Sequence, residues 1–221
     1  MSSVIRTPSA FFLKLPRCTG PKLVRLLERL YAKFYSLLIS GGFAEFGSKS
    51  VIVPPFRFSG EERIAIGSRV FIGGGSWIAA LENGKNNGTA VSIGSDTSIS
   101  GVCAISAISS VIIEDHVLFA LNVQVSDHKH RYDFKELPIK LQGIDKIAPV
   151  RICQGSWIGQ NVVICPGVTV GRGAVIGANS LVNRDVPEFS VAAGSPARII
   201  KDMTGETFRF NQNVSPDQSS Y

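Results

Sequence analysis

From Ile152 to Val186 an aliphatic residue returns at every sixth position, through Ile152, Ile158, Ile164, Val170, Ile176 and Val182. Each is followed by a small or turn-forming residue (Cys153, Gly159, Cys165, Gly171, Gly177, Asn183). Four places after each aliphatic comes a second small residue or valine: Ser156, Val162, Val168, Ala174, Ser180, Val186. An inward aliphatic, a corner and a second inward residue in every six predict a parallel β-helix. Each short strand stacks on the strand one coil earlier, and three hexads close a triangular coil. The 22 glycines suit such a fold, because Gly accepts the positive φ of tight corners.

The same register runs earlier in the chain. Ile66, Ile72 and Ile78 carry the first clear coil, Ile93, Ile99 and Ile105 the next, and after a slip of two residues Ile113, Phe119 and Val125 a third. The polar stretch from Glu82 to Gly88 reads as an excursion. Residues 126–150 form the longest break, and their His, Lys, Asp and Arg content cannot continue a buried wall. A loop of that length in a compact fold points to function. Pro187, Pro196 and the run Ala192-Ala193-Gly194-Ser195 end the repeat. Upstream, Leu23 to Leu38 shows a broad apolar face at helical period, with Pro21 at the first turn, Gly41-Gly42 as the stop, and Lys22, Arg25, Arg29 and Lys33 on the polar side. The expected use of that helix is packing on its own domain or on a partner subunit, with peripheral membrane contact as the alternative. The chain thus divides into a basic arm and amphipathic helix (1–46), a β-helix (47–203, with its loop at 126–150) and a polar tail (204–221).

Composition narrows the picture further. Hydrophobic residues make up 44% and charged residues 18% of 221, which fits a folded domain and not a disordered chain. Cys18, Cys103, Cys153 and Cys165 lack metal-ligand spacing and read as small buried hydrophobes in a reducing compartment. The net charge of +6 comes without a nucleic-acid motif, so nucleic acid is not expected; the first reading is a solvated basic surface and the next a phosphorylated ligand. The apolar run Phe11-Phe12-Leu13 is broken by Lys14 and Pro16, short of a signal-peptide core. No stretch approaches the roughly 20 apolar residues of a membrane span, and the expected location is the cytoplasm.

With a dozen hexads in register and the ending Val191-Ala192-Ala193-Gly194-Ser195-Pro196-Ala197-Arg198, the chain resembles the hexapeptide-repeat acyltransferases. Within that family it is similar to the sugar O-acetyltransferases related to galactoside, maltose, nodulation-factor and polysaccharide acetyltransferases. The resemblance implies a mainly β fold built on a left-handed parallel β-helix. It also implies homotrimers, acetyl-CoA as donor and an active site between subunits. Handedness comes from the resemblance alone, since the general preference for right-handed crossovers points the other way.

Acetyl transfer to a hydroxyl needs a base, and a neutral imidazole is the natural one. Two of the three histidines sit in Asp127-His128-Lys129-His130. The family match places the base on His130, with Asp133 as the acidic residue three places on, and leaves His128 as the rival. The third, His116, does not fit the zinc ligands of the related γ-class carbonic anhydrases, and no metal is expected. The resemblance assigns the donor site to Trp157, which walls the acetyl and pantetheine arm, to the Gln160 backbone N–H as oxyanion donor, to Ala178, and to Asn183, Arg184, Arg198 and Lys201 for the phosphates. Where related enzymes hold a small sugar with Asn and Asp, this chain has Ser100 and Ile108, so residues 131–146 are expected to shape a different acceptor pocket. The reading is an acetyl-CoA-dependent O-acetyltransferase acting on a sugar in surface polysaccharide or glycolipid synthesis. The alternatives are an N-acetyltransferase on an amino sugar and a trimeric scaffold without turnover.

Overall fold

The computed structural model describes residues 20–82 and 88–204. The expected basic arm before Gly20 with Cys18, most of the polar excursion (83–87) and the tail beyond Thr204 lie outside the described residues.

Three parallel sheets form the walls of a triangular prism. The first stacks Glu45–Phe46, Ile64–Ile66, Val91–Ile93, Val111–Ile113, Val150–Ile152 and Thr169–Val170. The second stacks Val51–Ile52, Phe71–Ile72, Ser98–Ile99, Leu118–Phe119, Trp157–Ile158 and Val175–Ile176, and ends in the antiparallel hairpin Ser190–Gly194 and Ala197–Asp202. The third stacks Arg57–Ser59, Trp77–Ala80, Ala104–Ala107, Gln124–Ser126, Val163–Ile164 and Leu181–Val182. Residue partners follow the hexads. Ile66 aligns with Ile93, Ile93 with Ile113, Ile113 with Ile152, and Ile152 with Val170. Each inward aliphatic on the three walls is buried, and a fully buried Ile or Val contributes about 1.5–3 kcal/mol relative to exposure. The repeat is the core.

One coil precedes the first that the hexads predict. Phe46, Ile52 and Phe58 stand six apart, and their strands pair with Ile66, Ile72 and Ile78. Aromatic residues at two of the inward places and Pro54-Pro55 in the corner hide this coil from a search for aliphatics. Its Glu45–Phe46 strand starts just ahead of the boundary expected at residue 47. Phe43, Phe46, Phe56 and Phe58 fill this end of the prism, with neighbouring ring centroids 5.6–5.7 Å apart.

Corners divide their work between two positions. Most residues directly after an aliphatic are small, and at Gly94 the adjacent coil requires it: a Cβ there would lie 2.5 Å from the Asp115 backbone nitrogen. The left-handed conformation falls two places later, at Arg69, Asp96, His116 and Gly155 on the edge between the first and second walls, and at Val102, Asn122, Asn161 and Asn179 between the second and third. Asn122 donates through Nδ2 to Asn161 Oδ1 at 2.9 Å, and Asn161 to Asn179 at 2.9 Å. These form a ladder of amides along one edge.

All the long departures from six-residue spacing fall on the remaining edge, between the third and first walls: Phe58 to Ile66, Ile78 to Ile93, Ile105 to Ile113 and Val125 to Ile152. Arg63, 6% exposed, ties the first three of these departures together. Its guanidinium donates to the carbonyls of Leu81 (2.9 Å), Gly88 (3.1 Å) and Ile108 (3.3 Å). The long loop leaves this edge as a short antiparallel arm, Lys129–His130 against Ile144–Asp145, and carries exposed Tyr132, Phe134, Ile139 and Leu141.

The helix Gly20–Ile39 matches the periodicity and packs on its own domain, with Tyr35 and Ile39 against the core, while most of its apolar face stays exposed. Only Ala32 and Ser36 are buried. Ser36 Oγ accepts the Ile52 N–H at 2.8 Å and seats the helix on the second wall. Among the described residues no helix is long and apolar enough to cross a membrane.

Candidate functional site

Asp127 is the first residue past the third wall on the edge of departures, and its side chain is fully buried. Burial alone would raise its pKa. Hydrogen bonds from the His128 ring and from the N–H groups of Ile108, Ser109 and Ser110 outweigh that and hold the carboxyl below its ordinary value. The backbone donors come from the turn where the preceding coil slips by two residues: Ile108 N at 3.0 Å, Ser109 N at 2.7 Å and Ser110 N at 2.8 Å. That slip, which reads as an irregularity in the sequence, is an anion cradle for this one carboxylate.

The remaining partner of Asp127 is chemical. His128 Nδ1 lies 2.8 Å from Asp127 Oδ1, and an ionised carboxylate can only accept. In the neutral imidazole this contact places the proton on Nδ1 and the lone pair on Nε2, which is the tautomer a base requires. His128 is 10% exposed, and Ser126 Oγ, 3.3 Å from Nδ1, also donates to the His128 carbonyl at 2.8 Å.

His130 sits differently. It is exposed, in the arm, aligned with Ile144, and among the described residues no hydrogen bond or ion pair holds its imidazole. Asp133, expected near it, reaches Arg131 at 4.0 Å. His116 is exposed at a left-handed corner on another edge. Among the described residues no three metal-ligating side chains converge.

The donor-site candidates fall into two groups. Trp157, Val175, Val191 and Lys201 are successive neighbours across the second wall, so Trp157 and Lys201 stand about 14 Å apart at about 4.8 Å per strand. Trp157 is 50% exposed. Arg198, aligned with Ala193, and Gln160 and Ala178, on the edge between the second and third walls, extend this surface. The Gln160 N–H has no acceptor among the described residues, while its carbonyl accepts the Asn179 N–H at 2.8 Å. Asn183 and Arg184 lie instead past the third wall, on the edge that carries His128. Within one chain the third wall separates Trp157 and Gln160 from His128, a width of up to about 20 Å.

Both acceptor-position substitutes are structural here. Ser100 Oγ donates to the Phe119 carbonyl at 2.9 Å, and buried Ile108 gives its N–H to Asp127. The residue that sequence reasoning missed is Asp127. Its signal was present as an acidic residue beside a histidine at the start of a loop, but its donors come from a different coil.

Comparison with known proteins agrees with this architecture. Residues 149–184 match the family described as bacterial transferase hexapeptide (six repeats). The chain is 38% identical over 140 residues to a Mycobacterium tuberculosis protein named "Probable acetyltransferase", covering 63% of this chain and 44% of that one. It is 40% identical over 111 residues to the Escherichia coli protein named "Putative lipopolysaccharide biosynthesis O-acetyl transferase WbbJ", covering 47% and 56% respectively. The chain spans about half the length of these relatives. Among solved structures, a Vibrio cholerae hexapeptide-repeat acetyltransferase in complex with acetyl-CoA superposes with a TM-score of 0.54 at 28% identity, over 85% of this chain and 90% of that one. A Bacillus cereus N-acyltransferase shares the fold, with a TM-score of 0.65 at 20% identity over 77% and 89%. The prism is the left-handed parallel β-helix of these proteins.

Proposed function

We propose that the chain is a hexapeptide-repeat transferase, a reading supported by the match at residues 149–184 and by its acetyltransferase relatives, and that it is an acetyl-CoA-dependent O-acetyltransferase acting on a sugar hydroxyl, with His128 as general base. The observation that carries this reading is the Asp127–His128 pair: a buried carboxylate held in its ionised form that fixes the imidazole through Nδ1 and leaves Nε2 for the proton. His130, favoured by the motif match, has no such support.

The acceptor O–H gives its proton to His128 Nε2 as the oxygen attacks the thioester carbon. The Gln160 N–H stabilises the developing oxyanion. The C–S bond breaks, and the CoA thiolate leaves and recovers a proton from the imidazolium. Asp127 stabilises that imidazolium while remaining ionised itself. Both substrates are bound together and no acyl-enzyme forms.

Because the third wall stands between the donor group and His128 in one chain, the working site is built from two subunits of a homotrimer. Trp157, Gln160, Ala178, Arg198 and Lys201 of one subunit face His128 of the next. Asn183 and Arg184 belong to the histidine's side of that interface. The exposed apolar side chains of the arm support such a contact. Sugar O-acetylation in polysaccharide or glycolipid synthesis is further supported by the printed name of the Escherichia coli relative.

The test is incubation of the full chain with acetyl-CoA and a panel of free sugars, nucleotide sugars and lipid-linked glycans, with mass spectrometry before and after mild alkali. An alkali-labile gain of one acetyl group is expected. An alkali-stable product makes the enzyme an N-acetyltransferase, and no acetyl-CoA binding by calorimetry makes it a scaffold.

A further inference from the structure

The helix Gly20–Ile39 touches the prism through Ala32, Ser36, Tyr35 and Ile39. At about 100° per residue, the buried Ala32 and Ser36 mark one direction, and an apolar arc of about 160° points the opposite way. Leu26, Leu30, Tyr31, Phe34, Leu37 and Leu38 lie on it, each at least half exposed, and Leu37 and Leu38 reach 74% and 72%. Unpaired apolar surface this continuous is unusual in a free-standing protein. Between that arc and the seat, on one flank, stand the exposed cations Lys22, Arg29 and Lys33, with exposed Arg25 on the seat side. Glu28 is the helix's only acidic residue.

The charge distribution of the whole sequence sharpens this. Residues 1–39 hold seven Lys and Arg against one Asp or Glu, while residues 40–221 hold sixteen of each. The helix and the residues before it thus carry a net charge equal to the whole chain's +6, and the remaining residues 40–221 sum to zero. A second copy of the helix is a poor occupant of the arc, because symmetric pairing sets one cationic flank near another with a single carboxylate per helix to offset them. An anionic bilayer is complementary in both respects: acyl chains take the apolar arc while Lys and Arg stems reach headgroup phosphates.

We infer that this helix docks the protein on an anionic membrane surface, lying in the interfacial plane with its outward apolar arc in the bilayer and the prism above it. The site geometry and this docking are independent: one is read from the third edge, the other from the helix.

The experiment is flotation of the full chain with vesicles of phosphatidylcholine alone and with about one third phosphatidylglycerol. Wild type is expected to float with the anionic vesicles. The double variant Leu30→Glu/Phe34→Glu, and separately Arg25→Glu/Arg29→Glu, should reduce the bound fraction about tenfold or more with unchanged thermal melts, since all four side chains are exposed. Sedimentation equilibrium without lipid should give the same oligomer for wild type and variants. Failure of wild type to float, equal flotation on neutral vesicles with no loss in the Arg variant, or dissociation of the oligomer by Leu30→Glu/Phe34→Glu would overturn the inference, the last by making a second copy the occupant.

Discussion

Asp127 Oδ1 and His128 Nδ1 meet at 2.8 Å, and the same carboxylate holds three backbone N–H groups of the preceding coil. The pair joins the proposed base to the fold. Asp127→Asn keeps the shape but brings an amide N–H₂ against donors. We expect a loss of about 2–4 kcal/mol at neutral pH, read from urea midpoints, and a fall in kcat that restoring stability with glycerol does not recover.

The Asp127 carboxyl also sets an acid limit. Its folded pKa lies below the unfolded value of about 3.9, so its contribution is complete above about pH 4 and is lost as pH falls through the folded value. Urea midpoints measured from pH 6 to pH 3 should drop in the lower part of that range for wild type. In Asp127→Asn that portion of the drop should be absent.

Arg63 links three departures of the chain on the site edge through carbonyl acceptors alone. Arg63→Met should destabilise by about 2–4 kcal/mol. Arg63→Lys should recover only part of that, because one ammonium cannot span three directions. Urea unfolding of the two variants checks both expectations.

Val102 occupies the left-handed corner at φ 53°, where a β-branched side chain is strained. Asn122, Asn161 and Asn179 fill the later corners of that edge. Val102→Asn relieves the strain and offers the ladder another amide, so we expect a gain of about 1 kcal/mol, seen as a higher Tm by calorimetry.

If the working site spans two subunits, two dead variants should complement. Trp157→Ala and His128→Ala chains, unfolded together and refolded as mixed trimers, should regain a measurable fraction of wild-type activity. Persistent inactivity in confirmed mixed trimers would place both groups in one chain.

Much of this molecule is legible at a period of six. The hexads located five coils and their register, because each inward aliphatic is repeated and each is buried. Phe46, Ile52 and Phe58 escaped because bulky aromatics close the prism's end. The helix was legible by period, but the direction its apolar arc faces was not, since Ser36 meeting the Ile52 backbone decides the seat. The choice between His128 and His130 was illegible for a related reason. Spacing records neighbours along the chain, while the groups that fix Asp127, and through it His128, arrive from a coil some twenty residues earlier.

The most direct measurement is kcat at saturating acetyl-CoA for His128→Ala and His130→Ala beside wild type, with the fold of each checked by its melt. The account predicts a loss of about 10²–10⁴-fold for His128→Ala and a change of no more than a few-fold for His130→Ala. Full activity in His128→Ala, or the large loss appearing in His130→Ala, would contradict it.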